Sequence, residues 1–282
     1  MSIPCFIPSK DRAAQLLLLL DSLEKNAPGV FFPHIMYKAS TENFEFGYEI
    51  VKKIYPNCVW KREVSSEKDF YGFLEFYSNI LIGLFSDDCI LFRPVGVRES
   101  DIRKIFQNED VFSATLRLGQ NITIKDYVRN EAAVVPLEQD YDHTRNCVYI
   151  VWDYTKIDFW QLHGFTVGFD GYIFRSQDLL DLSEKRSFSE DRICYWEQMI
   201  CDQFRRKGST RNMMASPYVS SVFVEQINVT HGLAHRSTRK FNISLESLNN
   251  ELLLGRCIDL SSMDFSGVNC THGEIPFTFK DL

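Results

Sequence analysis

Two adjacent acids, Asp87 and Asp88, follow Ser86 at the end of the apolar run Leu81–Phe85. Carboxylates at the end of a buried strand are costly unless something offsets their charge. A hard divalent cation, Mn2+ or Mg2+, does so with oxygen ligands and shares them with substrate phosphates. Such a cation can also neutralise charge that develops on a departing diphosphate. The plainer alternative is that both acids cap a turn or the next helix. A second polar cluster, Ser9-Lys10-Asp11-Arg12, ends another apolar run, Ile3–Pro8.

The elements that must carry these clusters follow from periodicity. Ile3–Pro8 reads as a strand, a polar turn follows, and Ala13–Leu23 reads as an amphipathic helix, the opening of a βαβ unit. Asn26-Ala27-Pro28-Gly29 ends that helix. His34–Lys38 and Cys58–Val64 are expected as strands, Glu42–Ile54 and Asp69–Asn79 as helices, and Leu81–Phe85 as a fourth strand. Alternating strands and helices predict an α/β fold with a doubly wound, mostly parallel sheet. Ligands of such sheets bind beyond the carboxyl ends of the strands, where both polar clusters would lie. Later segments are less regular. Ile102–Phe106 is expected as helix, Val111–Leu118 as strand, Arg129–Cys147 as irregular chain, and Phe165–Phe174 as a strand interrupted by Asp170-Gly171. Tyr195–Phe204 has helical periodicity, and short segments beyond Arg205 are expected to wrap an acceptor side.

Composition narrows the function class. A length of 282 residues suits one large domain, and 45% hydrophobic content supplies a substantial core. The net charge of −7 leaves no electrostatic footprint for nucleic acid or an anionic membrane. Aromatic residues reach 14%, read first as core filler and second as a sugar-stacking cleft. No apolar run is long enough to span a bilayer, and the N-terminus lacks signal-peptide character. The eight scattered cysteines form no CxxC pair, as expected of reduced thiols in a cytoplasmic protein, including one encoded by a virus and acting in a host cytosol. Sequons at Asn121, Asn228, Asn242 and Asn269 are read as chance.

Ile7-Pro8-Ser9-Lys10-Asp11-Arg12 followed by a Leu-rich helix resembles the first βα turn of GT-A-type glycosyltransferases. Phe85-Ser86-Asp87-Asp88 resembles their acidic DxD-type motif. Leu116-Arg117-Leu118-Gly119-Gln120-Asn121, Phe169-Asp170-Gly171-Tyr172-Ile173-Phe174-Arg175 and Thr271-His272-Gly273-Glu274-Ile275-Pro276 are similar to a subgroup of these enzymes found in bacteria and large algal viruses. The resemblance spans nearly the whole chain. It implies a GT-A fold, Rossmann-like, with a donor-binding half at 1–125, an acceptor half at 126–282 and a C-terminal acceptor-side elaboration. It implies metal-dependent transfer of a sugar, hexose or pentose, from a nucleotide-sugar donor, a UDP-sugar being commonest, to a glycan or glycoprotein acceptor.

Roles follow position by position. Pro8, Ser9, Asp11 and Arg12 would border the nucleotide, with Arg12 reaching the diphosphate or else forming a surface ion pair. Asp88 would be the principal metal ligand, with Asp87 a second ligand or ribose contact. At Ser86 relatives often carry another Asp; serine still reaches a ribose hydroxyl without the charge. Arg117 and Asn121 would line the donor pocket or simply form a turn. Asp170 would bind sugar or acceptor hydroxyls, and His272 would be a late metal ligand or a surface histidine.

Inverting transfer needs a base for the acceptor hydroxyl. Glu197 is the first candidate and Asp191 the second, because burial beside Trp196 and Tyr195 would raise the Glu197 pKa. With retention, Glu197 loses that role. Two other readings stay open: a degenerate sugar-binding or assembly module, and a sugar-1-phosphate nucleotidyltransferase, which the glycine-free Ile7–Arg12 turn disfavours.

Overall fold

The computed structural model describes residues 2–95, 98–126, 130–135, 149–158, 161–182, 197, 200, 203–204, 210–225 and 243–282. Its strands are β1 (Ile3–Lys10), β2 (Phe31–Lys38), β3 (Val59–Arg62), β4 (Leu81–Phe85), β5 (Cys89–Leu91), β6 (Val111–Thr115), β7 (Ile124–Asp126), β8 (Glu131–Ala132), β9 (Tyr149–Asp153), β10 (Asp170–Arg175), β11 (Met213–Pro217), β12 (Val222–Glu225), β13 (Arg256–Ile258), β14 (His272–Gly273) and β15 (Phe279–Asp281). Its helices are α1 (Ala13–Asn26), α2 (Glu42–Ile54), α3 (Ser66–Phe76), α4 (Glu99–Ile105), α5 (Ser176–Leu182) and α6 (Leu245–Leu253).

Eight strands form one sheet in the order β3-β2-β1-β4-β10-β6-β11-β9. The pairs β1–β2, β2–β3, β1–β4 and β6–β11 are parallel, whereas β10 and β9 run against their neighbours. This is the mostly parallel α/β sheet that the alternating pattern predicts. Its two faces are visible within single strands. In β1, Ile3, Cys5 and Ile7 enter one core with α1 and α2, while Phe6 enters the other with Phe70 and Phe73 of α3. A strand buried on both faces must be apolar along its buried length, as β4 is and as β1 is up to Pro8.

Sequence and structure differ at element ends. β1 continues through Lys10, so Ser9 and Lys10 belong to the strand. α3 starts at Ser66 because Ser65 caps it and Asp69 Oδ2 reaches back to the Val64 and Ser65 N–H groups at 2.8 and 3.1 Å. The segment expected as a strand over Phe165–Phe174 is extended in the sheet only from Asp170, and Asp170 opens β10 rather than interrupting it. The expected helix over Tyr195–Phe204 is described only at Glu197, Ile200, Gln203 and Phe204; all four are helical, and Ile200 and Phe204 are buried. The stretch Arg129–Cys147 lies mostly outside the described residues.

α1 explains where the C-terminal segment goes. Leu16, Leu17, Leu19 and Leu20 face the sheet, but Ala14 and Leu18 point away from it and are also buried. A helix apolar on every side needs a second cover. Leu248 of α6 with Ile258 and Leu260 supplies it, and α6 also lies against α2. Full burial of each Leu contributes about 1.5–3 kcal/mol. The C-terminal elaboration, expected on the acceptor side, therefore closes the outer side of the β1–α1 unit. Its β14 then joins β12 and β5 in a small sheet beside the strand ends.

Strand direction decides which residues meet. β1, β4, β6 and β11 end at the same edge, and the antiparallel β10 begins there, with Asp170 opposite Phe85. The register shifts at Gly171, whose φ is +77° and whose Cβ position lies 3.0 Å from Val222 Cγ2. Gly171→Ala is expected to lower stability by about 1–2 kcal/mol from the left-handed backbone alone. Urea unfolding should show a lower midpoint at unchanged slope. An unshifted midpoint would mean this bulge is not under conformational constraint.

Candidate functional site

The parallel pairing of β1 with β4 brings the two sequence clusters into contact. Arg12 Nη1 donates to Asp87 Oδ1 at 2.8 Å and to Asp88 Oδ2 at 3.0 Å. The preceding Asp11 sits at φ +58°, a conformation aspartate tolerates, and its Oδ1 accepts from the Ser40 N–H at 2.6 Å. That turn is further fixed by Tyr48 of α2, whose hydroxyl pairs with Ser9 Oγ at 2.8 Å and accepts from the Arg12 N–H at 3.2 Å. Arg12 and Asp87 are 7% and 5% exposed. Burial pushes the Asp87 carboxyl above its ordinary value, Arg12 pulls it back, and the Asp88 charge pushes it up again. Burial also works against the Arg12 charge, but the two carboxylates leave its pKa raised.

The second half of the site is built around Asp170. Its Oδ1 accepts from Ser86 Oγ at 3.1 Å. Its Oδ2 accepts from Arg117 Nη1 at 2.6 Å and lies 3.4 Å from His272 Nε2. Burial disfavours the Asp170 charge, yet His272 and Arg117 outweigh it and hold the carboxyl well below the usual range. Arg117 itself lies over the Tyr172 ring, 5.2 Å from its centroid. Glu197 is in the same group. A Cβ on Gly168 would stand 3.1 Å from its Oε1, so the glycine leaves room for the acid. Burial and the Asp170 charge push Glu197 up to about 8, against Arg117 and a hydrogen bond from the Phe169 backbone.

The structure thus unites Ser9, Arg12, Asp87 and Asp88 in one cluster, and Ser86, Arg117, Asp170, Glu197 and His272 in an adjoining one. It places Asp11 against Ser40, and Pro8 within β1. Asp191, with Tyr195 and Trp196, lies outside the described residues. Asn121 has a bracing position: its carboxamide donates to Ser220 Oγ at 2.9 Å and to Val268 O at 3.2 Å, and accepts from the Ser220 N–H at 2.8 Å. Gly119 permits this approach, since its Cβ position is 2.4 Å from Ser220 N. His272 is held from both ring nitrogens, with Thr271 Oγ1 2.8 Å from Nδ1.

Sequence reasoning missed Tyr48 and Glu225. Tyr48 belongs to the apolar face of an amphipathic helix and carries no distinguishing signal. Glu225 had one: it ends the apolar run Val222-Phe223-Val224 just as the aspartates end theirs. It is 3% exposed, its N–H donates to Asp88 O at 2.9 Å, and its Oε2 accepts from the Ile275 N–H at 2.9 Å. Burial, with help from Glu274 and Asp88, pushes its carboxyl up to about 9.

A divalent cation can be tested against this arrangement. Among the described residues no group of three His, Cys, Asp or Glu side chains is spaced to hold a metal alone. Asp87 is enclosed, His272 faces Asp170, and Asp88 is the more exposed acid of the pair, its side chain 19% exposed. That fits a cation held by one carboxylate and completed by substrate phosphates, a common magnesium arrangement.

No protein family's sequence model matches the chain, and no curated protein matches it. The structure is similar to solved structures that include a mannosyltransferase and a glycosyltransferase. One is Staphylococcus (S. aureus) TarS 1–349 in complex with UDP-GlcNAc, at 12% identity and TM-score 0.47, covering 90% of this chain and 70% of that one. Another is the mannosyltransferase PcManGT from Pyrobaculum calidifontis in complex with GDP-Man and Mn2+, at 9% identity and TM-score 0.32, covering 42% of this chain and 36% of that one. A third is apo GlyE from Streptococcus pneumoniae TIGR4, at 11% identity and TM-score 0.34, covering 90% and 64%. The chain therefore spans 36% to 70% of the length of these structures. Residue roles rest on this chain's own geometry. Among the described residues no helix is long and apolar enough to cross a membrane.

Asn121→Ala should loosen the Ser220 loop and lower stability by about 1–3 kcal/mol, because it strands the buried Ser220 N–H. An unchanged urea midpoint would show that this carboxamide is not a brace.

Proposed function

We propose that the chain is a glycosyltransferase, moving a sugar from a UDP-sugar to a glycan hydroxyl with inversion at the transferred carbon. The observation that supports this reading is a partly buried acid, Glu197, sharing one sheet edge with an aspartate pair bonded by Arg12. Hydroxyl activation requires a base whose pKa lies near the working pH, and burial brings Glu197 there.

Each residue then has a defined task. Asp88 would hold Mn2+ or Mg2+ together with diphosphate oxygens; when bound, that ion neutralises charge on the leaving group. Ser9 and Arg12 border the nucleotide at the end of β1. Glu197 takes the acceptor proton on its carboxylate. Asp170 orders the space between them, since its contacts tie the ends of β4, β6 and β14 together.

Two experiments address the roles separately. Glu197 is protonated below its pKa of about 8 and becomes a base as pH rises through that value. Wild-type kcat/KM should therefore climb with pH and level off above about 8. Glu197→Gln should lose this limb and about 10²–10⁴-fold in rate. An unaltered pH profile in that variant would remove Glu197 as the base. Asp88→Ala should lose both transfer and Mn2+-dependent UDP binding while its unfolding transition stays in place; wild-type rates would refute the metal assignment. Hydrolysis of the donor without acceptor separates an enzyme from a binding module, which would hold donor and never turn it over.

A further inference from the structure

The turn after β1 places a permanent cation where the proposed reaction needs an exchangeable one. A single nitrogen, Arg12 Nη1, serves both aspartates, at 2.8 and 3.0 Å. The base of this cluster is fixed: Asp87 also takes hydrogen bonds from Ser9 and the Lys10 backbone, and the Arg12 N–H is held by Tyr48. Asp88 is its most exposed member and the one able to exchange partners.

A guanidinium already in contact with Asp88 Oδ2 competes with any metal ion for that carboxylate, and two cations at one oxygen repel. A diphosphate changes the balance. It offers a guanidinium a bidentate partner, and it brings the oxygens that complete a divalent cation's shell. Building on the reading that Asp88 and a donor diphosphate share a divalent cation, we infer that Arg12 is a latch on Asp88. Arg12 offsets part of the aspartate pair's charge before the nucleotide arrives, keeps metal affinity low, and moves its Asp88 contact to the diphosphate on binding. Metal and nucleotide then bind cooperatively, each raising the affinity for the other by the same factor.

The latch makes a prediction that a donor-binding or purely structural Arg12 does not: removing the guanidinium strengthens metal binding. The test titrates Mn2+ into the full chain by electron paramagnetic resonance of the free ion, with and without UDP. It compares wild type, Arg12→Gln and Arg12→Lys, with near-ultraviolet circular dichroism as the fold control. Without UDP, Arg12→Gln should bind Mn2+ about tenfold tighter than wild type, the usual scale of such couplings. UDP should tighten Mn2+ binding strongly in wild type and much less in Arg12→Gln. Arg12→Lys keeps a point charge without the planar fork and should fall between the two. It carries the comparison if Arg12→Gln does not fold. Unchanged or weaker Mn2+ binding in both variants overturns the latch while leaving the transferase reading intact. Absence of Mn2+ binding by wild type even with UDP overturns both.

Discussion

Two adjacent carboxylates at the end of a fully buried strand are the constraint from which the rest of this site follows. Asp87 and Asp88 repel each other, and Asp87 has little water to help it. The charge that compensates them must come from a neighbouring strand, and β1 provides it because it lies parallel to β4 and ends at the same edge. The turn that aims Arg12 inward is expensive to hold, so it is fixed from several directions: the left-handed Asp11, its bond to Ser40, and the buried Tyr48 hydroxyl. Losing Arg12 or Asp87, the buried partners of this ion pair, would cost about 3–5 kcal/mol, more than a surface ion pair contributes. The same cluster is therefore both a piece of the core and the floor of the crevice.

A parallel sheet alone would bring only strand ends to that crevice. The antiparallel β10 adds a strand beginning, and this places Asp170 beside Ser86 and within reach of Arg117. The bulge at Gly171 and the missing side chain at Gly168 are what the arrangement requires, one letting Asp170 turn in and the other leaving space for Glu197. β14 completes the group by bringing His272 from the far end of the chain. Residues from five separate segments thus converge because of strand polarity, with helices supplying cover.

The first half of the fold was legible in the sequence because its periodicity is regular and its polar clusters close apolar runs. Ser9–Arg12 and Ser86–Asp88 could be located from that pattern alone, although nothing in it said that Arg12 bonds both acids. The second half was harder. Asp170-Gly171 looked like an interruption, since a strand that begins at a bulge has the same local composition as one broken by a turn. For Asn121 a pocket residue and a turn residue were equally open readings, because the Leu116-Arg117-Leu118-Gly119 stretch does not reveal which polar side chain braces the loop opposite. The destination of the C-terminal segment was hidden in α1: five successive leucines, Leu16–Leu20, demand cover on every side, and that demand is visible only when the helix is considered as a cylinder rather than as a stripe.

Asp170 and Glu197 show how one crevice holds two carboxyls in opposite states. Both lose water, and burial alone would raise both. Arg117 bonds Asp170 directly and stabilises its charge, while Glu197 has only the more distant part of that attraction and experiences Asp170 as a like charge. The pair therefore separates: Asp170 stays ionised, and Glu197 keeps its proton until the pH rises through about 8. Environments that push two acids apart divide labour between them, and here the division follows from which of the two the arginine touches.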